Sequence, residues 1–205
     1  MENENPTNDN IITMGGIPVG STTWPEFEQH KQTIIDICLR EEKPNVIESG
    51  VAPSIKTNLW ESKFDFLTKH KELQELNTWL NVSVNRFVNY VNRRDHKMTI
   101  TESWAHVTRP NGYHGPHRHP GSTWSGIFFV DADYTEDSGT TLFNHFNMPR
   151  EPGYEFFEEH TEINFNPGSL VIFPSTMMHY AKPYLGKDRR IVIAFNSLVF
   201  RQFQP

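Results

Sequence analysis

Apolar residues recur along this chain in two rhythms, and the change from one to the other divides it. Phe27, Ile34, Ile35 and Cys38 fall on one face of a helix entered at Thr23-Trp24-Pro25-Glu26. Thr23 is expected to cap that helix, Pro25 suits its first turn, and Glu26 completes a capping box. Lys43-Pro44-Asn45 ends it, and residues 45–63 read as loop. A second helical region is expected from residue 65, where Leu73, Leu76, Leu80, Val84, Phe87 and Val91 form one stripe at steps of three and four. Arg93 and Arg94 are placed in its last turn, where cations suit the helix dipole.

After residue 96 the period falls to two. Met98, Ile100, Glu102, Trp104 and His106 alternate with Thr99, Thr101, Ser103 and Ala105, the pattern of a half-buried strand. Further strands are expected at 123–131, 140–144, 161–165, 169–173 and 190–200, punctuated by Pro110-Asn111-Gly112, Pro152-Gly153, Pro167-Gly168 and Gly186. There is no repeat and no strand–helix alternation. The chain therefore reads as mainly β, a sandwich or barrel with N-terminal helices packed on it. Residues 1–20 are expected to be a flexible segment and 21–205 a single domain, helical over 21–95 with a β core over 96–205.

Composition narrows the partners. The 205 residues carry a net charge of -6, so no basic footprint points to nucleic acid. The one cysteine, Cys38, excludes an internal disulfide and suits a reducing compartment. No apolar run approaches the roughly 20 residues that span a bilayer, and the polar N-terminus lacks the features of a signal peptide. A cytoplasmic protein is expected.

The candidate chemistry lies in histidines. Three fall within six residues in Tyr113-His114-Gly115-Pro116-His117-Arg118-His119-Pro120, and His179 follows Phe173-Pro174-Ser175-Thr176-Met177-Met178. Neutral imidazole is the commonest protein metal ligand. In an extended strand His117 and His119 would share a face, and flanking prolines would stiffen the pair. His179 would add a third ligand from a strand across the barrel, giving an octahedral ion three open positions. His114 suits a supporting or substrate-facing role. The histidines at 30, 70, 96, 106, 145 and 160 lack such context and read as ordinary surface or core residues. Arg190 opens the apolar run Ile191-Val192-Ile193-Ala194-Phe195. If Ile191, Ile193 and Phe195 face an outer core, Arg190, Val192, Ala194 and Asn196 face inward. A guanidinium there could clamp a carboxylate through two parallel hydrogen bonds.

At these residues the chain resembles the 2-oxoglutarate/Fe(II)-dependent oxygenases, in particular a family of small oxygenases of bacteria and phages. The likeness rests on Ser103-Trp104, Arg109-Pro110 with Tyr113-His114, His117-x-His119-Pro120 and Ser125-Gly126-Ile127-Phe128-Phe129-Val130. It continues through Pro167-Gly168, Phe173-Pro174-Ser175, His179 and Arg190 to Asn196. The resemblance implies a double-stranded β-helix, or jelly roll, with Fe(II) on His117, His119 and His179. It also implies 2-oxoglutarate held by Arg190, with Ser175 and Asn196 assigned to the cosubstrate as well. O2 would be the second cosubstrate. The primary substrate is not legible, and Tyr113, His114, Trp104 and Trp124 are candidates to line its pocket. The superfamily's usual H-x-D/E step is H-x-H here. Three histidines leave Fe(II) at +2, so the 2-oxoglutarate dianion would make the site neutral. The chemistry expected is hydroxylation with release of succinate and CO2. The alternatives are a three-His cupin-type metalloenzyme that does not use 2-oxoglutarate and a non-catalytic jelly-roll binding module. No membrane partner is expected, and a homodimer is possible.

Overall fold

The structure, a computed structural model, describes residues 10–14, 17–50, 55–93, 96–136, 138–143 and 160–200. Strands β1 (Asn10–Met14) and β2 (Ile17–Thr23) precede helix α1 (Phe27–Glu41) and strand β3 (Lys56–Glu61). Helices α2 (Phe66–Lys69) and α3 (Gln74–Asn92) follow, then β4 (Lys97–His117), β5 (Trp124–Ala132), β6 (Thr140–Phe143) and β7 (His160–Ile163). The chain continues through β8 (Ser169–Pro174), β9 (His179–Ala181) and β10 (Arg190–Phe200). The strands pair antiparallel in the order β1-β2-β8-β5-β10-β4-β9-β6-β7, with β3 added to β4. This curled antiparallel sheet is a jelly roll. No described helix is long and apolar enough to cross a membrane.

Two apolar cores lie on opposite faces of the sheet. The outer one joins the α1 and α3 stripes, with Ile34, Leu76, Leu80 and Val84, to Phe128, Ile191, Ile193 and Phe195. The inner one holds Trp104, Ile127, Phe129, Phe173 and Ala194. Alternation along β10 sends its odd-numbered residues outward and its even-numbered ones inward, as the sequence pattern predicts. Phe195 crosses Gly126 on β5 so closely that a Cβ there would stand 2.3 Å from its ring.

The alternation expected along β4 fails at one place. Asn196 pairs with Glu102 but Ser197 pairs with Ile100, so Thr101 is an extra residue in β4. Such a bulge reverses the faces. Met98 and Ile100 therefore pack in the outer core with Ala105 and Val107, while Trp104 turns to the inner one.

The N-terminal region departs from its sequence reading in several places. Residues 17–20, expected in a flexible segment, begin β2, which pairs with β8, and Val19 is buried. Residues 56–61, read as loop, form β3; the strand is short and is interrupted by Asn58 in the left-handed region. No side chain caps α1, because Thr23 ends β2 opposite Ser169. Trp24 anchors the helix instead, stacking on His30 at 4.8 Å and meeting Phe128 edge-on. Arg93 lies past the end of α3 in a left-handed conformation, and Arg94 lies outside the described residues.

One feature of α3 has no counterpart in the sequence reading. Asn77, Asn81, Asn85 and Asn89 recur every four residues along one helix edge. Asn85 accepts from Met98 N and donates to Met98 O, as a neighbouring strand would. Asn81 accepts from Ile100 N, and Asn89 accepts from His96 N. The helix thereby completes the hydrogen bonding of β4 on the side away from β10. Replacing Asn85 by Ala leaves both backbone groups of Met98 unpaired. It is expected to cost about 1–3 kcal/mol, read by chemical denaturation, with faster amide exchange at Met98.

Candidate active site

Strand pairing brings two of the candidate histidines together. His117 is the last residue of β4 and His179 the first of β9, and the two are cross-strand partners. His119 lies just beyond β4, where its backbone N–H bonds to Ser175 O at 2.9 Å. One ring nitrogen from each of the three lies within 4.8 Å of the others. Ring centroids stand 4.1 Å apart for His117 and His179, and 5.1 Å apart for His119 and His179. Burial opposes protonation of all three. It pulls His117 down to about 4, although the Gly115 carbonyl opposes the shift. His119, which also feels His117, falls to about 3, and His179 lies well below its ordinary value. The site is thus a set of neutral imidazoles, the protonation state that binds metals.

The same cavity reaches Arg190, which is 4% exposed. Its guanidinium donates to Ser138 O at 3.3 Å and to Thr108 Oγ1 at 3.5 Å, and sits 5.8 Å from the Tyr184 ring centroid. Among the described residues no carboxylate pairs with it. Burial lowers it to about 10, so it remains a cation at neutral pH. Val192 and Ala194 line the cavity between Arg190 and the histidines, and Ile127 and Phe129 wall it from β5.

Other sequence candidates divide. Trp104 and His114 line the cavity. His114 stacks on His117 at 3.7 Å, and Trp104 lies 5.4 Å from His119. Trp124 does not line it: the ring faces the outer core, edge-on to Phe87 at 5.3 Å. Tyr113 is 37% exposed and pairs with Thr57 on β3, away from the cavity. Ser175 and Asn196, assigned to the cosubstrate, do not line the cavity either. They meet Ser125 behind His119, where Ser125 Oγ stands 2.8 Å from Ser175 Oγ and donates to Asn196 Oδ1 at 2.8 Å. Glu102 is outside the ligand cluster and accepts from Asn196 Nδ2 at 2.9 Å.

Residues 102–196 match a family described as 2OG-Fe(II) oxygenase. Over that stretch, just under half of the chain, it is similar to the 2-oxoglutarate/Fe(II)-dependent oxygenases. No curated protein sequence matches it. Solved structures share its fold at low identity. A prolyl-4-hydroxylase of Pseudomonas putida is 11% identical with a TM-score of 0.58, covering 90% of this chain and 94% of its own. The viral collagen prolyl hydroxylase of Paramecium Bursaria Chlorella virus-1, in complex with 2OG, is 12% identical with a TM-score of 0.55, covering 87% and 96%. HygX of Streptomyces hygroscopicus, with nickel and 2-oxoglutarate bound, is 12% identical with a TM-score of 0.57, covering 89% and 83%.

The cavity also carries a polar group that sequence reasoning missed. His106, read as an ordinary histidine, lines the cavity and stands edge-on to His114 at 5.3 Å. Its Nε2 lies 2.6 Å from Glu61 Oε2, which also pairs with Lys56. Glu61 is 1% exposed. Burial opposes its ionisation, but His106 and Lys56 outweigh burial and hold the carboxyl down to about 2. Its available signal was the shared parity of His106 with Trp104; Glu61 and Lys56 were hidden in a supposed loop. Glu61→Ala removes the buried acid that lies between Lys56 and His106 and is expected to cost about 3–5 kcal/mol. Because ionised Glu61 is favoured in the fold, its stabilisation is present above pH 4.5 and is lost as pH falls toward 2. The stability gap between wild type and Glu61→Gln in urea denaturation should shrink across that window.

Proposed function

We propose that His117, His119 and His179 hold Fe(II) through ring nitrogens and that Arg190 holds the distal carboxylate of 2-oxoglutarate. In this reading the enzyme hydroxylates an as yet unidentified substrate, with release of succinate and CO2. The observation that carries the reading is a single cavity joining three neutral imidazoles to a buried arginine that has no carboxylate partner among the described residues. The donor set fits the metal, since nitrogen ligands suit iron and three protein ligands leave positions open. The bound iron and oxo acid supply the oxidising chemistry.

The chain's own residues orient and enclose. His117 and His179 each hold Nδ1 against a backbone carbonyl, Gly115 O at 2.9 Å and Met177 O at 3.0 Å, which turns Nε2 toward the cluster. Support of this kind fixes tautomer and ring direction in metal-bound histidines. Arg190 offers a planar fork whose charge is little screened in its buried setting. Ile127, Phe129, Phe173 and Val192 provide apolar walls that keep water from the reacting groups.

Three measurements test the reading. Calorimetric titration with Mn(II) under anaerobic conditions should show wild-type binding that weakens by at least about 100-fold in His117→Ala and His179→Ala, but is retained in His30→Ala. Full binding by the two variants rejects the ligand assignment. Arg190→Ala should keep metal binding but weaken 2-oxoglutarate binding by about 30-fold or more, with Arg190→Lys intermediate. Equal 2-oxoglutarate titrations for wild type and Arg190→Ala reject the clamp. Hydroxylation is checked by substrate-dependent succinate release together with gain of one oxygen atom in the product.

A further inference from the structure

The three histidines of the cluster are not equivalent. Each backbone carbonyl that meets His117 Nδ1 or His179 Nδ1 can only accept, so both rings carry their proton on Nδ1 and present an Nε2 lone pair. His119 has a different neighbour. Its Nδ1 lies 3.5 Å from the side-chain nitrogen of Asn196.

The orientation of that amide is fixed from outside. Asn196 Nδ2 stands 2.9 Å from Glu102 Oε2, and a carboxylate only accepts. Asn196 Oδ1 takes the hydroxyl proton of Ser125 at 2.8 Å. The amide nitrogen therefore belongs on the side of Glu102 and His119, with its second hydrogen available to His119 Nδ1. His119 then accepts at Nδ1 and carries its proton on Nε2. That Nε2 lies 3.3 Å from His179 Nε2, which is already a lone pair. Along Glu102, Asn196, His119, His179 and Met177 every contact has one donor and one acceptor.

We propose that Glu102 and Asn196 are positioning residues that hold His119 protonated at Nε2. His117 and His179 are then the standing ligand pair, and His119 joins them only when the Asn196 amide turns over. This rests on the metal reading given above. With the amide turned, Oδ1 would accept from His119 Nδ1–H and free Nε2 for the ion. The same turn would set Oδ1 against Glu102 Oε2, two acceptors without a proton between them. The carboxylate missing from the ligand set thus acts one hydrogen bond further out, where it restrains the third ligand.

Glu102→Gln removes the conflict, because a glutamine amide can donate to the turned Oδ1. It should bind Mn(II) more tightly than wild type by about 10-fold, and the gain should vanish in Glu102→Gln/His119→Ala. In the metal-free protein, 15N chemical shifts should report His119 protonated at Nε2, and His117 and His179 at Nδ1. In Glu102→Gln a fraction of His119 should carry its proton on Nδ1, because residue 102 can then meet either orientation of the Asn196 amide. A metal-free His119 already protonated at Nδ1 overturns the proposal. So does unchanged affinity in Glu102→Gln, or a gain that survives removal of His119. If wild type binds no divalent metal, the metal reading fails and the ligand role falls with it. The 15N spectrum still decides separately whether Glu102 and Asn196 set the tautomer.

Discussion

Pairing between β4 and β10 is the constraint on which the site depends. Its rungs set Arg190 beside Thr108, Val192 beside His106, Ala194 beside Trp104 and Asn196 beside Glu102. These are the groups that build the cavity or stand directly behind it. The alternate residues Ile191, Ile193 and Phe195 are committed to the core under the helices. A slip of one residue would exchange the two sets and place the guanidinium among leucines. The helical stripes of α1 and α3 thus do more than cover the sheet: by demanding apolar residues on one face, they fix which polar residues reach the other.

Features that depend on one segment alone were legible in the sequence. The α3 stripe, the span of β10 and its alternation, and the closeness of His117 to His119 all follow from local spacing. Features that depend on a partner were not. The extra residue Thr101 is visible only against β10, yet it decides that Trp104 and not Ile100 turns inward. Trp124 and Tyr113 look alike to Trp104 as aromatic candidates, but one faces α3 and the other solvent. Ser175 and Asn196, expected to hold the cosubstrate, instead meet through Ser125 outside the cavity lining, a link between β5, β10 and the end of β8 that no single segment displays. Strand β3 escaped notice because Asn58 breaks its rhythm, and Glu61 and Lys56 went with it.

Charge around the cavity is arranged by prior commitment. Glu61 is held by Lys56 and His106, Glu102 meets Asn196, and Asp133 accepts from Tyr184, whose ring lies beside Arg190. The acids nearest the site are occupied with structural partners, and Arg190 keeps its charge for something that enters. With neutral imidazoles at the other end, the cavity favours an anionic guest. A dianion also meets the charge of a divalent ion there, which a neutral ligand of the same shape would leave uncompensated.

The asparagines of α3 give the helix a second character. Asn85 offers Met98 one donor and one acceptor, the pair a peptide group would offer, and its neighbours repeat part of that offer one turn away on each side. Strand ends left open in this way are templates on which other chains can add strands. Here the place is taken by a helix, which cannot propagate the ladder. Loss of α3 from its seat would uncover a row of unmatched amides beside Met98 and Ile100, and the first partner able to satisfy them would be the same segment of another molecule. The asparagine row therefore closes an edge to which another strand could add, as well as stabilising one strand.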